Sequence, residues 1–217
     1  LSLICYGVTH HPHLGAARTV HYRQTLTNNG TPVLSMEMVK YTRSDGFWKA
    51  DQIYYNADGS VKTKVAQFGS PQKKAAFQID EERKLLVMTG PIYHAVHTLD
   101  MAALRRDPTF LREDVVLGYP LAVFHLVDGD KSYMETYRSL ELDETLKTVL
   151  ANSGSYDTLE AVSVVLGEPT PEQLSVPNYP VSFDLYKALI RSADEQGDKE
   201  RADTMRQALA ELEKTLR

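Results

Sequence analysis

Residues 32–56, "PVLSMEMVKYTRSDGFWKADQIYYN", decide the fold class. Two runs rich in β-branched, aromatic and methionine residues flank "RSDG" at 43–46, whose Asp and Gly suit a tight turn. This predicts two antiparallel strands. Successive strand residues point to opposite faces, so Leu34, Met36 and Met38 share one face while Val33, Glu37, Val39 and Tyr41 share the other. In the second strand Trp48, Ala50 and Tyr54 lie together, opposite Phe47, Lys49, Asp51, Ile53 and Tyr55. Both faces carry apolar area, so each needs a cover, a ligand or a partner.

The same punctuation recurs outward from this hairpin. "NNG" at 28–30, "NADG" at 56–59 and "DEER" at 80–83 divide residues 18–97 into an antiparallel meander. "DMAALRRDP", 100–108, predicts one short covering helix with Asp100 as N-cap and Pro108 at its end. Strands resume in "LGYPLAVFHLV" and "KSYMETYRS" around "DGDK", and again in "TLEAVSVVLGEP". Pro169, Pro171, Pro177 and Pro180 mark an extended exit with a short helical turn at "PEQL".

Residues 183–217 change to helical period. Phe183, Tyr186, Leu189, Ile190 and Ala193 form one stripe; Ala202, Met205, Leu209, Leu212 and Leu216 form another. Gly197 suits the end of the first helix and Asp198 the start of the second, which predicts a helical hairpin. The second stripe alternates three and four, the spacing of a seam that packs on another helix. Met205, Leu209, Leu212 and Leu216 are therefore candidate partner-binding residues, the seam packing on the sheet, on a second copy or on a partner protein. The expected class is α+β: an antiparallel half-barrel over 18–182, a flexible segment over 1–17 before it and a helical hairpin over 183–217 after it.

The 217 residues are 42% hydrophobic and 24% charged, an ordinary globular composition, with twelve Tyr and a formal net charge of -5. That charge, with no clustered basic surface, argues against nucleic acid as a partner. Cys5 is the single cysteine, so neither an intrachain disulfide nor a cysteine-rich metal site can form. The apolar opening "LSLICYGV" has eight residues, far short of a membrane span. Ile4 before Cys5 departs from the small residue that precedes bacterial lipid attachment.

Chemical motifs are sparse. His94 and His97 in "GPIYHAVHTLD", 90–100, face opposite sides of a strand, which argues against a shared metal. His10, His11 and His13 lie in an aperiodic segment that reads as a linker. There is no G-x-S-x-G elbow, "GSPQKK" lacks phosphate-loop spacing, and no acid–base pair can be nominated. No cofactor, metal or catalytic role is expected. What remains is apolar: Leu34, Met36, Met38, Trp48, Tyr54, Phe77 and Ile79 are candidate lining residues of a curved sheet, the methionines giving a deformable wall suited to acyl chains.

The meander, short helix and returning strands, ending in "LGEPTPEQLSVPNYPV", resemble the secreted bacterial proteins related to the lipoprotein carriers LolA and LolB, with their uncharacterised envelope relatives. Gly167, Glu168 and Pro169 fit the Gly-Glu-Pro turn of those relatives, and Val176, Pro177 and Tyr179 their Val-Pro-x-x-Tyr close. The charged hairpin "QIDEERKLLVMTG", 78–90, is also similar. The resemblance covers residues 18–182. It implies a half-barrel with a hydrophobic inner face in a periplasmic or secreted protein, and it transfers no ligand residue by position. "GDKERADTMRQAL", 197–209, is similar to the joint and second helix of a tetratricopeptide unit, which needs neighbours to stack on. The first expectation is thus a non-enzymatic envelope protein binding a hydrophobic ligand, acyl chain or lipoprotein segment. The alternative is a protein-interaction module docking or dimerising through its C-terminal hairpin.

Overall fold

The computed structural model describes residues 16–28, 30–92, 101–127 and 132–216. Among these residues lie twelve strands and three helices. A first meander comprises β1 (Arg18–Asn28), β2 (Thr31–Thr42), β3 (Trp48–Tyr55), β4 (Val61–Ser70), β5 (Ala75–Asp80) and β6 (Leu85–Pro91). After α1 (Met101–Leu104) a second comprises β7 (Phe110–Val116), β8 (Tyr119–Val127), β9 (Ser132–Ser139), β10 (Glu144–Asn152) and β11 (Ser155–Leu166). Then come β12 (Val181–Ser182), α2 (Asp184–Glu195) and α3 (Lys199–Leu216).

All strands join one open sheet in the order β12-β6-β5-β4-β3-β2-β1-β11-β10-β9-β8-β7. The pairing of β1 with β11 fuses the two meanders edge to edge. The two-residue β12 alone pairs parallel, Val181 opposite Leu86. This is the α+β, antiparallel architecture that the turn spacing predicts. Asp100, His94 and His97, like Cys5, His10, His11 and His13, lie outside the described residues.

Turn chemistry closes the hairpins as read: Arg43 N–H donates to Phe47 O and Asn56 N–H to Ser60 O, both at 2.8 Å. The exit "TPEQ" forms a reciprocal cap, with Thr170 N–H donating to Gln173 Oε1 at 2.8 Å and Gln173 N–H to Thr170 Oγ1 at 3.4 Å. Gly197 ends α2 at φ +78°, a conformation that costs glycine nothing. There Asp198 N–H reaches Ala193 O and Gly197 N–H reaches Asp194 O, both at 3.0 Å, the paired bonds of a Schellman motif. Asp198 then caps α3 by accepting from Arg201 N–H at 3.2 Å.

The helical hairpin covers one face of β4–β6. Phe68, Phe77 and Met88 are opposite one another across these strands, as are Ala66, Ile79 and Leu86. They form a core cluster with Tyr186, Ile190, Ala193, Ala202 and Leu212, against which Met205, Leu209 and Leu216 also pack. Strict alternation of buried and half-buried residues along β5 marks the one-sided cover. Val176 and Tyr179 of the exit segment join the same cluster, and Tyr179 Oη donates to Glu81 Oε2 at 2.8 Å. The α3 seam therefore packs within this chain: of the three environments open to it, the sheet and α2 take its apolar face, because the short 196–198 joint folds α3 back antiparallel on α2. Lys187–Glu213 at 3.0 Å and Arg206–Asp194 tie the two helices at their rims.

A second cluster lies at the other half of the sheet: Val20, Tyr22, Leu121, Val123, Tyr137, Leu142, Leu146 and Ala161, with Met38 and Leu159 against it. Between the two halves the sheet curls. β10 pairs with β11 only as far as Lys147↔Glu160, while β11 runs on beside β1 to Leu166. Freed from β11, the start of β10 and the turn before it fold over β1 and β2, which makes the face they cover the inner face.

Candidate functional site

The inner face can be read directly from the strand register. Residues directly opposite in an antiparallel pair share a face. Four rows follow across β3, β2, β1 and β11: Trp48–Thr42–Arg18–Leu166, Ala50–Lys40–Val20–Val164, Gln52–Met38–Tyr22–Ala161 and Tyr54–Met36–Gln24–Leu159. Leu34 continues the alternation of β2 toward the open end, where it is 36% exposed and opposite Thr25.

Five candidate lining residues, Leu34, Met36, Met38, Trp48 and Tyr54, are thus brought onto one face. Phe77 and Ile79 are not. Phe77 is opposite Phe68, which is opposite Lys49, the residue after Trp48, so Phe77 and Ile79 point to the other side of the sheet. They are 0% and 8% exposed under α2 and α3. Their assignment to the ligand face is corrected: the hairpin occupies the face they belong to.

Two strand-level details shape the lining. The Trp48 indole lies over Gly69, its cross-strand partner; a Cβ there would sit 2.1 Å from Nε1 and 2.9 Å from Ile92 Cδ1. Glycine at 69 is what lets the ring lie flat on β4. Ile92, just after β6, brings its Cδ1 to the same spot beside Gly69.

Polar side chains that the sequence reading did not select form the floor of this face. Glu144, 3% exposed, accepts from Lys40 Nζ at 2.7 Å (Oε1) and 3.0 Å (Oε2), and from Arg18 Nη2 at 2.7 Å. Arg18 also donates to Ala16 O at 2.9 Å, and Arg138 pairs with Asp143 at 2.6 Å beside them. Lys40 stands 5.6 Å from the Trp48 ring centroid, within cation–π range. Burial pushes the Lys40 ammonium below its ordinary value; Glu144 opposes this and Arg18 adds to it. Burial, followed by the charge of Glu144, holds the Tyr22 phenol well above its usual range, and Tyr22 Oη donates to Thr145 O at 3.1 Å.

Toward the open end the polar groups are amides, a phenol hydroxyl and the Asp157 carboxyl. Tyr54 Oη donates to Gln52 Oε1 at 2.7 Å, and Gln52 Nε2 approaches Met38 Sδ at 3.7 Å. Gln24 Nε2 donates to both oxygens of Asp157, at 2.7 and 2.8 Å. Burial raises the Asp157 carboxyl, with the Gln24 bond acting the other way. The inner face therefore grades from charged groups at the Arg18 end to methionine, tyrosine and leucine at the Leu34 end. Most of these polar groups are engaged with one another, Arg18 Nε and Thr42 Oγ1 being buried without a hydrogen-bond partner, and no nucleophile–base pair faces this surface among the described residues. Among the described residues no three His, Cys, Asp or Glu converge as metal ligands, and no helix is long and apolar enough to cross a membrane.

The polar floor had a partial sequence signal. Lys40 falls in phase with Met36 and Met38, and Arg18 with Val20 and Tyr22, positions where a cation on a buried face needs a partner. Nothing local marks Glu144 as that partner, since it comes from a strand more than a hundred residues on.

The sequence matches no protein-family model and no curated protein. The structure is similar to an uncharacterised conserved protein from Thermus thermophilus, at 12% identity and a TM-score of 0.48 over 78% of this chain and 91% of that one. It is also similar to a chain of the Pseudomonas aeruginosa MucA/MucB complex, at 17% identity and a TM-score of 0.43 over 74% of this chain and 56% of that one. A LolA superfamily protein from Nitrosomonas europaea aligns over 74% of this chain and 90% of that one, at 9% identity and a TM-score of 0.35. The likeness to LolA-like proteins is one of fold, and it is distant.

Proposed function

We propose that this chain is a non-enzymatic cell-envelope protein, periplasmic or secreted, that binds an acyl chain or the acylated segment of a lipoprotein on the inner face of β1–β3. One observation carries the reading: Leu34, Met36, Met38, Trp48 and Tyr54 gather on the face of the sheet opposite the one the helical hairpin covers. Polarizable, unbranched methionine side chains repack around a flexible apolar ligand at little cost. The aromatic rings of Trp48 and Tyr54 supply rigid walls on either side of the polar Gln52.

The reading in which the C-terminal hairpin docks a partner is less supported, since Ala202 and Leu212 are 0% and 5% exposed in the chain's own core. The acyl-binding reading is tested by native mass spectrometry of the purified protein followed by organic extraction. A co-purifying acyl compound near one per chain supports it. A protein that carries no adduct and acquires none when incubated with dodecanoate and dodecanol contradicts it.

A further inference from the structure

The two ends of the sheet are finished differently. At one, β12 contributes two residues and the chain turns at once into α2. At the other, β7 ends the sheet with seven residues, Phe110–Val116, and contains neither proline nor lysine, two of the usual guards of an exposed edge. The two-residue loop of Leu117 and Gly118, at φ +52° and +84°, joins β7 to β8 and makes Val116 and Tyr119 a hydrogen-bonded pair. Counting back by twos, Asp114 and Arg112 also turn their backbone groups to β8, so Glu113 and Val115 turn theirs outward. Val115 bears this out: its N–H donates to Asp114 Oδ1 at 2.7 Å rather than to β8. Glu113 and Val115 are opposite Ala122 and Pro120 on one face of the sheet; Arg112 and Asp114 are opposite Val123 and Leu121 on the other.

A bare outer edge is a template for another strand, and charge is the common guard against it. In β7 the guard has both signs, Arg112, Glu113 and Asp114, in an order that is its own complement. Two antiparallel copies related by a two-fold axis set like faces together, so the axis passes through a residue. Through Arg112 or Asp114, the axis sets that charge against itself and the other charge against an apolar residue. Through Glu113, it sets Arg112 of each copy against Asp114 of the other, twice, and makes the outward backbone groups of Glu113 a hydrogen-bonded pair. The two Glu113 carboxylates then meet with Arg105 paired to each, so the signs alternate. Leu111 and Val115, 47% and 62% exposed at either side of these charges, come level with one another across the pair.

We propose that β7 pairs antiparallel with β7 of a second copy of this chain, about a two-fold axis at Glu113, joining the two sheets into one. In the pair the Asp114 carboxylate leaves the Val115 N–H to the new strand and turns to Arg112 of the second copy. Arg112 and Asp114, 43% and 41% exposed, are open to that partner. The strand is short, so the association is weak and depends on concentration. It does not depend on what the inner face binds.

The test is sedimentation velocity of the full chain from roughly 1 μM to 1 mM, the span of a small transient interface. The expected result is a reversible monomer–dimer transition within this range. Arg112→Asp and Asp114→Arg are each expected to raise its midpoint at least about tenfold, since like charges then face each other twice. An equimolar mixture of the two variants is expected to regain the parent's association, because the acids of one then face the bases of the other. That recovery also shows that both variants are folded. Val115→Lys, at an exposed side chain, is expected to weaken the dimer without touching the bond from Arg112 to Tyr137 Oη. A parent that stays monomeric throughout the range overturns the proposal. A dimer that both charge reversals leave intact overturns it in favour of another interface, and a mixture that fails to associate overturns the two-fold register.

Discussion

Glu144 Oε1 lies 2.7 Å from Lys40 Nζ, although β10 and β2 are separated by β11 and β1 in the sheet. In a flat sheet three strand spacings put those backbones roughly 14 Å apart, with side chains standing perpendicular to the plane. Their contact is thus a measure of the curl, and Glu144 fastens the curl by bonding Arg18 as well. Replacing Glu144 with Gln removes the carboxylate that the two buried cations share. Glu144→Gln is expected to lower unfolding free energy by about 3–5 kcal/mol in urea titrations. Changing Arg18, Lys40 and Glu144 together to methionine is expected to restore stability, because an apolar floor has no charge to desolvate. A Glu144→Gln protein as stable as the parent would mean that the curl is held by packing alone.

The α3 seam serves the fold. Leu212→Ala opens a cavity beneath β5 and β6 and is expected to cost roughly 2–5 kcal/mol. Leu209→Asp is expected to destabilise the chain while the folded fraction elutes from size exclusion like the parent. A stable Leu209→Asp protein that elutes as a smaller species would instead assign the seam to an interface between copies.

Gly69 is required by the ring beside it. A methyl group at 69 would meet the Trp48 indole and Ile92 Cδ1. Gly69→Ala is expected to cost roughly 1–3 kcal/mol through overpacking and to shift Trp48 emission as the ring tilts off β4. Unchanged emission and stability would show that the indole does not rest there.

Asp157 gives a pH signature of defined sign. Its folded-state pKa is raised, first by burial, so the native state holds the proton more tightly than the unfolded chain. The stability this group contributes is present below the ordinary aspartate value and is lost as pH rises through the raised one. Asp157→Asn keeps an acceptor for Gln24 without the charge. The variant is expected to match or exceed the parent at pH 7 and to lack this part of the parent's loss of stability across the mildly acidic range. A variant less stable at pH 7 would mean that the ionised carboxylate strengthens the Gln24 bond by more than its burial costs.

The local signals carried most of the architecture. Alternation in 32–56 assigned Trp48, Ala50 and Tyr54 to one face and Lys49, Asp51 and Ile53 to the other, as the register has them. Gly197 and Asp198 marked the helical joint because capping is a short-range matter. Which face is inner was not legible, since it depends on how β10 leaves β11, and alternation is silent about which side a cover takes. Phe77 and Ile79 alternate as cleanly as Met36 and Met38, yet the hairpin that buries them arrives a hundred residues later. The polar floor was hidden for the same reason: Lys40 and Arg18 announce a need, and only the fold names Glu144 as the group that meets it.

Photo-crosslinking tests the central claim most directly. The full chain is incubated with a dodecanoate analogue carrying a diazirine along its chain, irradiated, digested and mapped by mass spectrometry. The account predicts labels within residues 34–54, centred on Met36, Met38, Trp48 and Tyr54 and reduced by competing dodecanoate. Labels confined to the Phe77 and Ile79 face, or labelling that dodecanoate does not compete away, would contradict it.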